Sequence, residues 1–282
     1  MRNLLAIALA LPLFAACTVG EDGTQTPGDD GTEHPTSPTD PNPTGAGLEG
    51  TIQADTTWTG VNRIKGAVTI PAGVTVTVAP GATLDFANTA RIIVDGTLKI
   101  DGTSASKVVA KSEVGATSWG PIAVTGTLDM KYADFSGGAI SSTGATASLV
   151  ITDSKMFKAG GDYIIMNGGS INMTYSQIGA AVGETDSTHC NLHINAASSI
   201  TVTNSNINGA PYGLMFYGGV NANFQTNNWY GASDTDVATQ AGVSGNFSGG
   251  WFEKGAPVAG PGATLTANNL SPTKLTAVGP RP

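Results

Sequence analysis

Apolar and polar residues alternate with period two in a segment that recurs five times between Leu128 and Gly231. Leu128 and Met130, Leu149 and Ile151, Ile171 and Met173, and Ile200 and Val202 stand at i and i+2, and Val220 opens a fifth copy. Their neighbours Asp129, Lys131, Asn172, Thr174, Thr201 and Thr203 are polar. A period of two describes a strand with one buried face. The five copies begin 21, 22, 29 and 20 residues apart, and the long step carries an extra loop, GETDSTH, over 183–189. A nearly constant period of this length is the signature of a stacked repeat. Further apolar pairs mark more strands in each copy: Ile122 and Val124, Ile164 and Met166, Leu192 and Ile194, Leu214 and Phe216, with Ile140 alone. Gly-Gly, Asn-Gly and Ser-Gly steps separate them, as turns require. Several short strands per repeat without helices exclude βαβ units. They predict a solenoid in which each strand pairs in parallel with its equivalent one coil on. Met130, Ile151, Met173 and Val202 should then stack inward. Two outward ladders are expected: Lys131, Thr152, Thr174, Thr203, Asn223, and beside it Asp129, Val150, Asn172, Thr201, Asn221.

The alternation extends upstream through Val68 and Ile70, Val74, Val76 and Val78, Leu84 and Phe86, Ile92 and Val94, and Leu98 and Ile100. The order of the segments GVTVTVAPGATL, RIIVDGTL and SWGPIAV, closed by Asn227-Asn228-Trp229-Tyr230-Gly231, resembles the pectate-lyase-like proteins. That resemblance runs from about Trp58 to Trp251 and implies an all-β fold, a right-handed parallel β-helix over 50–253 with a short C-terminal cap. Ser233 or Asp234 is expected to N-cap a short helix through Val237 and Ala238, stopped by Gly242. With Phe247, Trp251 and Phe252 it would cover the open end of the stack, where bare strand edges invite aggregation. Residues 254–282 are rich in Pro and Gly and read as a wrap or a loose tail.

Charged residues make up 12% of the chain, about half the usual share, and the net charge is −8 with no basic cluster. Nucleic acid is thereby excluded as a partner. Six of the acids, Glu21, Asp22, Asp29, Asp30, Glu33 and Asp40, fall in a low-complexity stretch rich in Pro, Thr and Gly. Residues 17–49 have almost nothing apolar to bury and read as a disordered, extended tether. Residues 1–16 carry Arg2 and then an apolar run too short for a membrane span, the pattern of an export signal. The run ends Leu13-Phe14-Ala15-Ala16-Cys17, which resembles the lipobox of bacterial lipoproteins. The resemblance implies acylation of Cys17. Thr18 stands where an aspartate would favour inner-membrane retention, which implies the outer membrane. Acyl chains bury about 0.8 kcal/mol per methylene, so several together give a durable anchor.

A β-helix serves polysaccharide lyases, glycoside hydrolases, adhesins and inert scaffolds, and the fold alone does not choose among them. The hydrolases need paired carboxylates at set spacing. Arg63-Ile64-Lys65 matches one of their motifs without its companions and reads as a solvated strand edge. Arg91 reads as an exposed strand start near Asp95. Asp134 falls near the slot that Lys155 takes one coil on, and Asp153 falls at a bend. These acids suit a surface charge ladder, and an enzyme would have to draw on them. Glu184, Asp186 and His189 converge on the 183–189 loop and form a possible metal or ligand site. His193 shares the parity of His189, but four strand residues separate the two by about 13 Å, too far for one ion unless the chain bends. Cys190 shares parity with Leu192 and Ile194 and should point inward as a small hydrophobe. Thr152, Thr174, Thr203 and Asn223 form a possible ligand face of hydroxyls and amides. No cofactor is implied. The sequence therefore reads as a lipid-anchored cell-surface module, non-enzymatic and structural, adhesive or glycan-contacting, with a polysaccharide or another surface protein as partner. The alternative is a polysaccharide lyase or glycoside hydrolase.

Overall fold

A computed structural model describes residues 47–116, 119–179 and 189–282. Cys17, the leader, most of the tether, Glu184 and Asp186 lie outside the described residues. The chain forms a parallel β-solenoid of about 9 turns, and no helix occurs among the described residues. Ten strands, from Thr56–Trp58 to Thr264–Thr266, form one sheet, here sheet I. The other 17 form two ladders, sheets II and III, which merge at the long strand Val61–Ile70. The first strand, Leu48–Thr51, pairs with that long strand and begins within the segment read as tether.

One turn shows how the sequence builds the rest. Ser148–Thr152 lies in sheet I, Lys155–Phe157 in sheet II and Ile164–Asn167 in sheet III. Leu149, Ile151, Met156, Ile164 and Met166 all point inward and are fully buried. The next turn repeats this in register, Met130 opposite Ile151, Ile151 opposite Met173, and Met173 opposite Val202. The expected apolar ladder is therefore present. Each fully buried side chain of this size contributes about 1.5–3 kcal/mol, and every strand inside the stack has both edges paired.

The corner between sheets I and II has its own repeat. Tyr132, Asp153, Tyr175, Asn204 and Thr226 take left-handed backbone angles, with φ of 46°, 49°, 48°, 52° and 56°. The residues after the last four, Ser154, Ser176, Ser205 and Asn227, are buried. Each accepts a backbone N–H from the preceding turn: Ala133 to Ser154, Ser154 to Ser176, Ser176 to Ser205, and Ser205 to Asn227. Each serine hydroxyl also donates to the carbonyl two residues back. A sharp corner inside a stack leaves backbone groups away from water, and this ladder satisfies them.

Three expectations are corrected. The fifth repeat begins two residues later than the alternation suggested, so Asn223 opposes Thr201 rather than Thr203. Ala222 and Phe224 point inward, while Val220 is 62% exposed. Gly219 causes the slip: its φ is +124°, and a Cβ there would lie 2.6 Å from Ile200 Cδ1. The chain must turn here before a strand can resume. The expected helix is instead the strand Thr235–Thr239, with Val237 opposite Leu214. Its β-branched Thr235, Val237 and Thr239 suit a pleated surface better than a helix, and an open strand edge was waiting beside them. Finally, the cap is not helical. Phe247 and Phe252 are buried in the last turns, where Phe252 stacks on Trp229 and Phe247 on Phe224.

The tail is a strap. Ser271 N–H donates to the Gly250 carbonyl, Leu275 exchanges two hydrogen bonds with the Asn228 side chain, and Gly279 N–H donates to the Asn204 carbonyl. Lys274 covers the Tyr230 ring and Arg281 the Tyr175 ring. The strap thus runs back along the stack to Asp153. That carboxylate is 2% exposed and accepts hydrogen bonds from Arg281 N, Nε and Nη2 at 3.1, 2.8 and 2.7 Å.

Asp236 supplies a prediction. Burial pushes its pKa up to about 6, and Lys254 only partly offsets this. An unfolded Asp titrates near 3.9. Between these values the folded state binds more protons than the unfolded, so stability falls as pH rises through about 4–6 and levels off above. The accumulated loss is about 2–3 kcal/mol. Asp236→Asn should raise the melting temperature at pH 7.5 and leave it nearly unchanged at pH 4, as scanning calorimetry at the two pH values would record.

Candidate functional site

Two places gather polar side chains. The first is the outer face of sheet I. Thr152, Thr174 and Thr203 stand opposite one another in consecutive turns. Neighbouring strands in such a stack are about 4.8 Å apart. Asn172, Thr201 and Asn223 line the adjacent ladder, with Asn223 placed by the register correction above. The N-terminal end of this sheet holds a hollow of about 380 Å³ lined by Asp55, Thr56, Thr57, Thr75 and Thr77. Charge on the face is locally balanced: Lys131 bonds Asp101 at 2.7 Å and holds that carboxyl below the usual range.

The second place is at the start of two neighbouring sheet III strands, around Asp162 and the 189–193 segment. Asp162 sits between the strands Lys155–Phe157 and Ile164–Asn167. The next residue, Tyr163, is buried, and its N–H donates to the Cys190 carbonyl one turn on. Ile164 and Ile165 then pair with Leu192 and His193 of the strand Cys190–Ala196. On the other side, the His189 carbonyl accepts Tyr212 N–H. Asp162 and the 189–193 segment are thus held by backbone bonds in adjacent turns. The chain bends at His189, which brings its ring centroid to 5.4 Å from that of His193. The 13 Å separation expected of a straight strand does not apply.

Asp162 is the hub. Its Oδ1 meets His189 Nδ1 and accepts Cys190 Sγ at 3.1 Å, and its Oδ2 meets His193 Nδ1 at 2.9 Å. One donor atom from each of the four residues lies within 4.8 Å of the others. The His193 side chain is 17% exposed and that of His189 is 43% exposed, so the group opens to solvent on the His189 side. Tyr217 packs edge-on against His193, and Tyr212 against His189. Burial pushes the Asp162 pKa up, but hydrogen bonds from Cys190, His193 and His189 outweigh it and hold the carboxyl below its usual range. Burial, then the Asp162 bond and charge, push the Cys190 thiol strongly up. The thiol is buried as its parity required, yet its S–H is aimed at a carboxylate.

Of the loop residues singled out in the sequence, only His189 is described, and the structure joins it to Asp162, Cys190 and His193. The repeat itself carried the missing signal. The apolar pairs Ile164 and Met166, and Leu192 and Ile194, are 28 residues apart, and the same step from Asp162 lands on Cys190. The other acids fall elsewhere. Asp134 stands opposite Lys155 in sheet II and lies 3.7 Å from Lys107 Nζ, while Asp153 is held under the strap. Lys65 of the Arg63-Ile64-Lys65 run pairs with Glu113, and Arg91 is an exposed strand start. Comparison of the chain with protein-family models, with curated proteins and with solved structures finds no match.

Proposed function

We propose that this chain is a non-enzymatic cell-surface module, held to the outer membrane through a lipid on Cys17, that contacts glycan through the outer face of sheet I. The observation supporting this reading is the unbroken ladder Thr152, Thr174, Thr203 with its amide-bearing neighbours Asn172 and Asn223. A polysaccharide lying along the stack would meet one hydroxyl per turn, and a β surface keeps those hydroxyls in fixed register. Many weak contacts then add up without a deep cleft. A polysaccharide lyase or hydrolase of this fold would instead draw on acids such as Asp134 or Asp153. The Asp153 carboxylate is occupied by three hydrogen bonds from Arg281, which disfavours that use.

Each hydroxyl contact contributes about 0.5–1.5 kcal/mol. Thr174→Ala with Thr203→Ala should therefore weaken retention on immobilised cell-surface polysaccharide about tenfold while leaving the circular dichroism spectrum intact. The same polysaccharides are assayed for new reducing ends and unsaturated products. Turnover that disappears in Asp134→Asn would replace this reading with the enzyme.

A further inference from the structure

We propose that Asp162, His189, Cys190 and His193 form a binding site for one divalent transition-metal cation of the zinc class. The reading is independent of the glycan face. Its basis is convergence: four side chains from two turns, 27 or more residues apart in sequence between Asp162 and the rest, present one oxygen, two nitrogens and one sulfur within 4.8 Å. A tetrahedral zinc ion takes such ligands at about 2.0–2.3 Å, which sets its donors roughly 3.3–3.6 Å apart. The contacts to His193 and Cys190, 2.9 and 3.1 Å on separate oxygens of Asp162, and the tighter one to His189 all fall inside that spacing, so a bound ion would part the donors slightly. The donor chemistry selects the ion. Calcium and magnesium prefer oxygen alone, whereas imidazole and thiolate with one carboxylate suit zinc, cobalt and their neighbours.

A carboxylate offers about four acceptor sites, so hydrogen bonding alone does not single out this group; the identity of its partners does. Here one carboxylate faces two imidazoles and a thiol, so three hydrogen-bearing groups converge on two oxygens. All three partners are metal-ligand types, and a single cation can be shared by all four groups. It binds the carboxylate oxygen and a lone pair from each imidazole, and it forms an S–metal bond as the thiol proton leaves to solvent. M²⁺ enters as one H⁺ leaves, the neutral imidazoles carry their remaining proton on Nε2, the site goes from −1 to neutral, and no redox step occurs. A nucleophilic cysteine is disfavoured, since the thiol donates to an anion and is buried rather than activated. The consequence is a clamp between the Asp162 turn and the turn that follows the long 29-residue step.

The test uses the full-length chain in detergent, stripped with a chelator and titrated with Co²⁺. One equivalent should produce intense visible bands of tetrahedral cobalt and a near-ultraviolet thiolate-to-cobalt band. One equivalent of Zn²⁺ should bleach both and raise the melting temperature. Cys190→Ser should abolish the thiolate band, and His193→Gln should weaken Zn²⁺ binding more than tenfold. His34→Gln, in the acidic segment, should change nothing. If Cys190→Ser does not fold, His189→Gln at the exposed edge takes its place, with the same loss of affinity expected. The proposal is overturned if the bands do not form, if they survive the site variants, or if His34→Gln removes them.

Discussion

Ile151→Asp is expected to eliminate the folded solenoid at neutral pH, while Val150→Asp leaves it nearly as stable as the parent. Ile151 is 0% exposed and sits in the middle of the inward ladder, between Met130 and Met173. Removing its side chain alone costs about 2–5 kcal/mol, and leaving a carboxylate in its place adds several more. That sum rivals the roughly 5–15 kcal/mol by which most domains are stable at all. Val150 differs by one position and faces outward, between Asp129 and Asn172. An aspartate there adds a like charge beside Asp129 in water, a cost of under about 1 kcal/mol. Far-ultraviolet circular dichroism and urea unfolding of the two variants check the pair. Equal loss in both would mean that sheet I is not organised about this register.

The second large effect is expected at the strap. Arg281→Met removes two side-chain hydrogen bonds from a carboxylate that is 2% exposed, leaving only the Arg281 amide. A buried charge stripped of its partner is costly, but Arg281 is half exposed and water can reach the site once the strap lifts. The net loss should be about 1–3 kcal/mol. The strap from Ser271 onward should become open to limited proteolysis. Asp153→Asn added to Arg281→Met should restore part of the loss, because the double variant no longer buries an unpaired charge. The same contact sets an acid limit. Burial pushes the Asp153 pKa up, but hydrogen bonds from the Arg281 side chain and amide outweigh it and hold it below the ordinary value. Its stabilisation is complete above the unfolded value near 4 and is lost as pH falls through the lower folded value. Strap proteolysis in the parent should accordingly begin only below about pH 4.

The pattern of residues made the stacked part of this fold legible because the information is local and repeated. Leu149 and Ile151 name a strand by themselves, and the copies at Ile171 and Ile200 fix how strands align. The errors arose where one residue's geometry overrode the pattern. Val220 is apolar and in phase, but Gly219 and the left-handed Asn221 turn the chain, and the strand resumes at Ala222. Thr235–Thr239 carries a plausible helix start at Ser233, but the vacant edge of Tyr212–Phe216 captures it as a strand. The metal-ligand group was harder to see, since Asp162 lies in a Gly-Gly turn and His189 leaves the strand at a bend. Its members are joined by stacking across the irregular step, and spacing within a single strand could not bring them together. The strap was legible only as composition, because Arg281 and Asp153 are 128 residues apart.

Among the left-handed corner residues Tyr132, Asp153, Tyr175, Asn204 and Thr226, only Asp153 is acidic. The strap leaves the stack beside Gly250 and meets this acid after passing Asn228, Asn204 and Tyr175. Its reach is therefore a ruler that counts coils. Duplicating one repeat between Asp153 and Gly250 would add about 4.8 Å of rod. It would also bring Arg281 to rest on an uncharged corner. Lengthening this rod by whole repeats is otherwise simple, since each new coil brings its own serine for the corner. A matched change in the strap would have to accompany every change in coil number, which ties the number of turns to the last dozen residues of the chain.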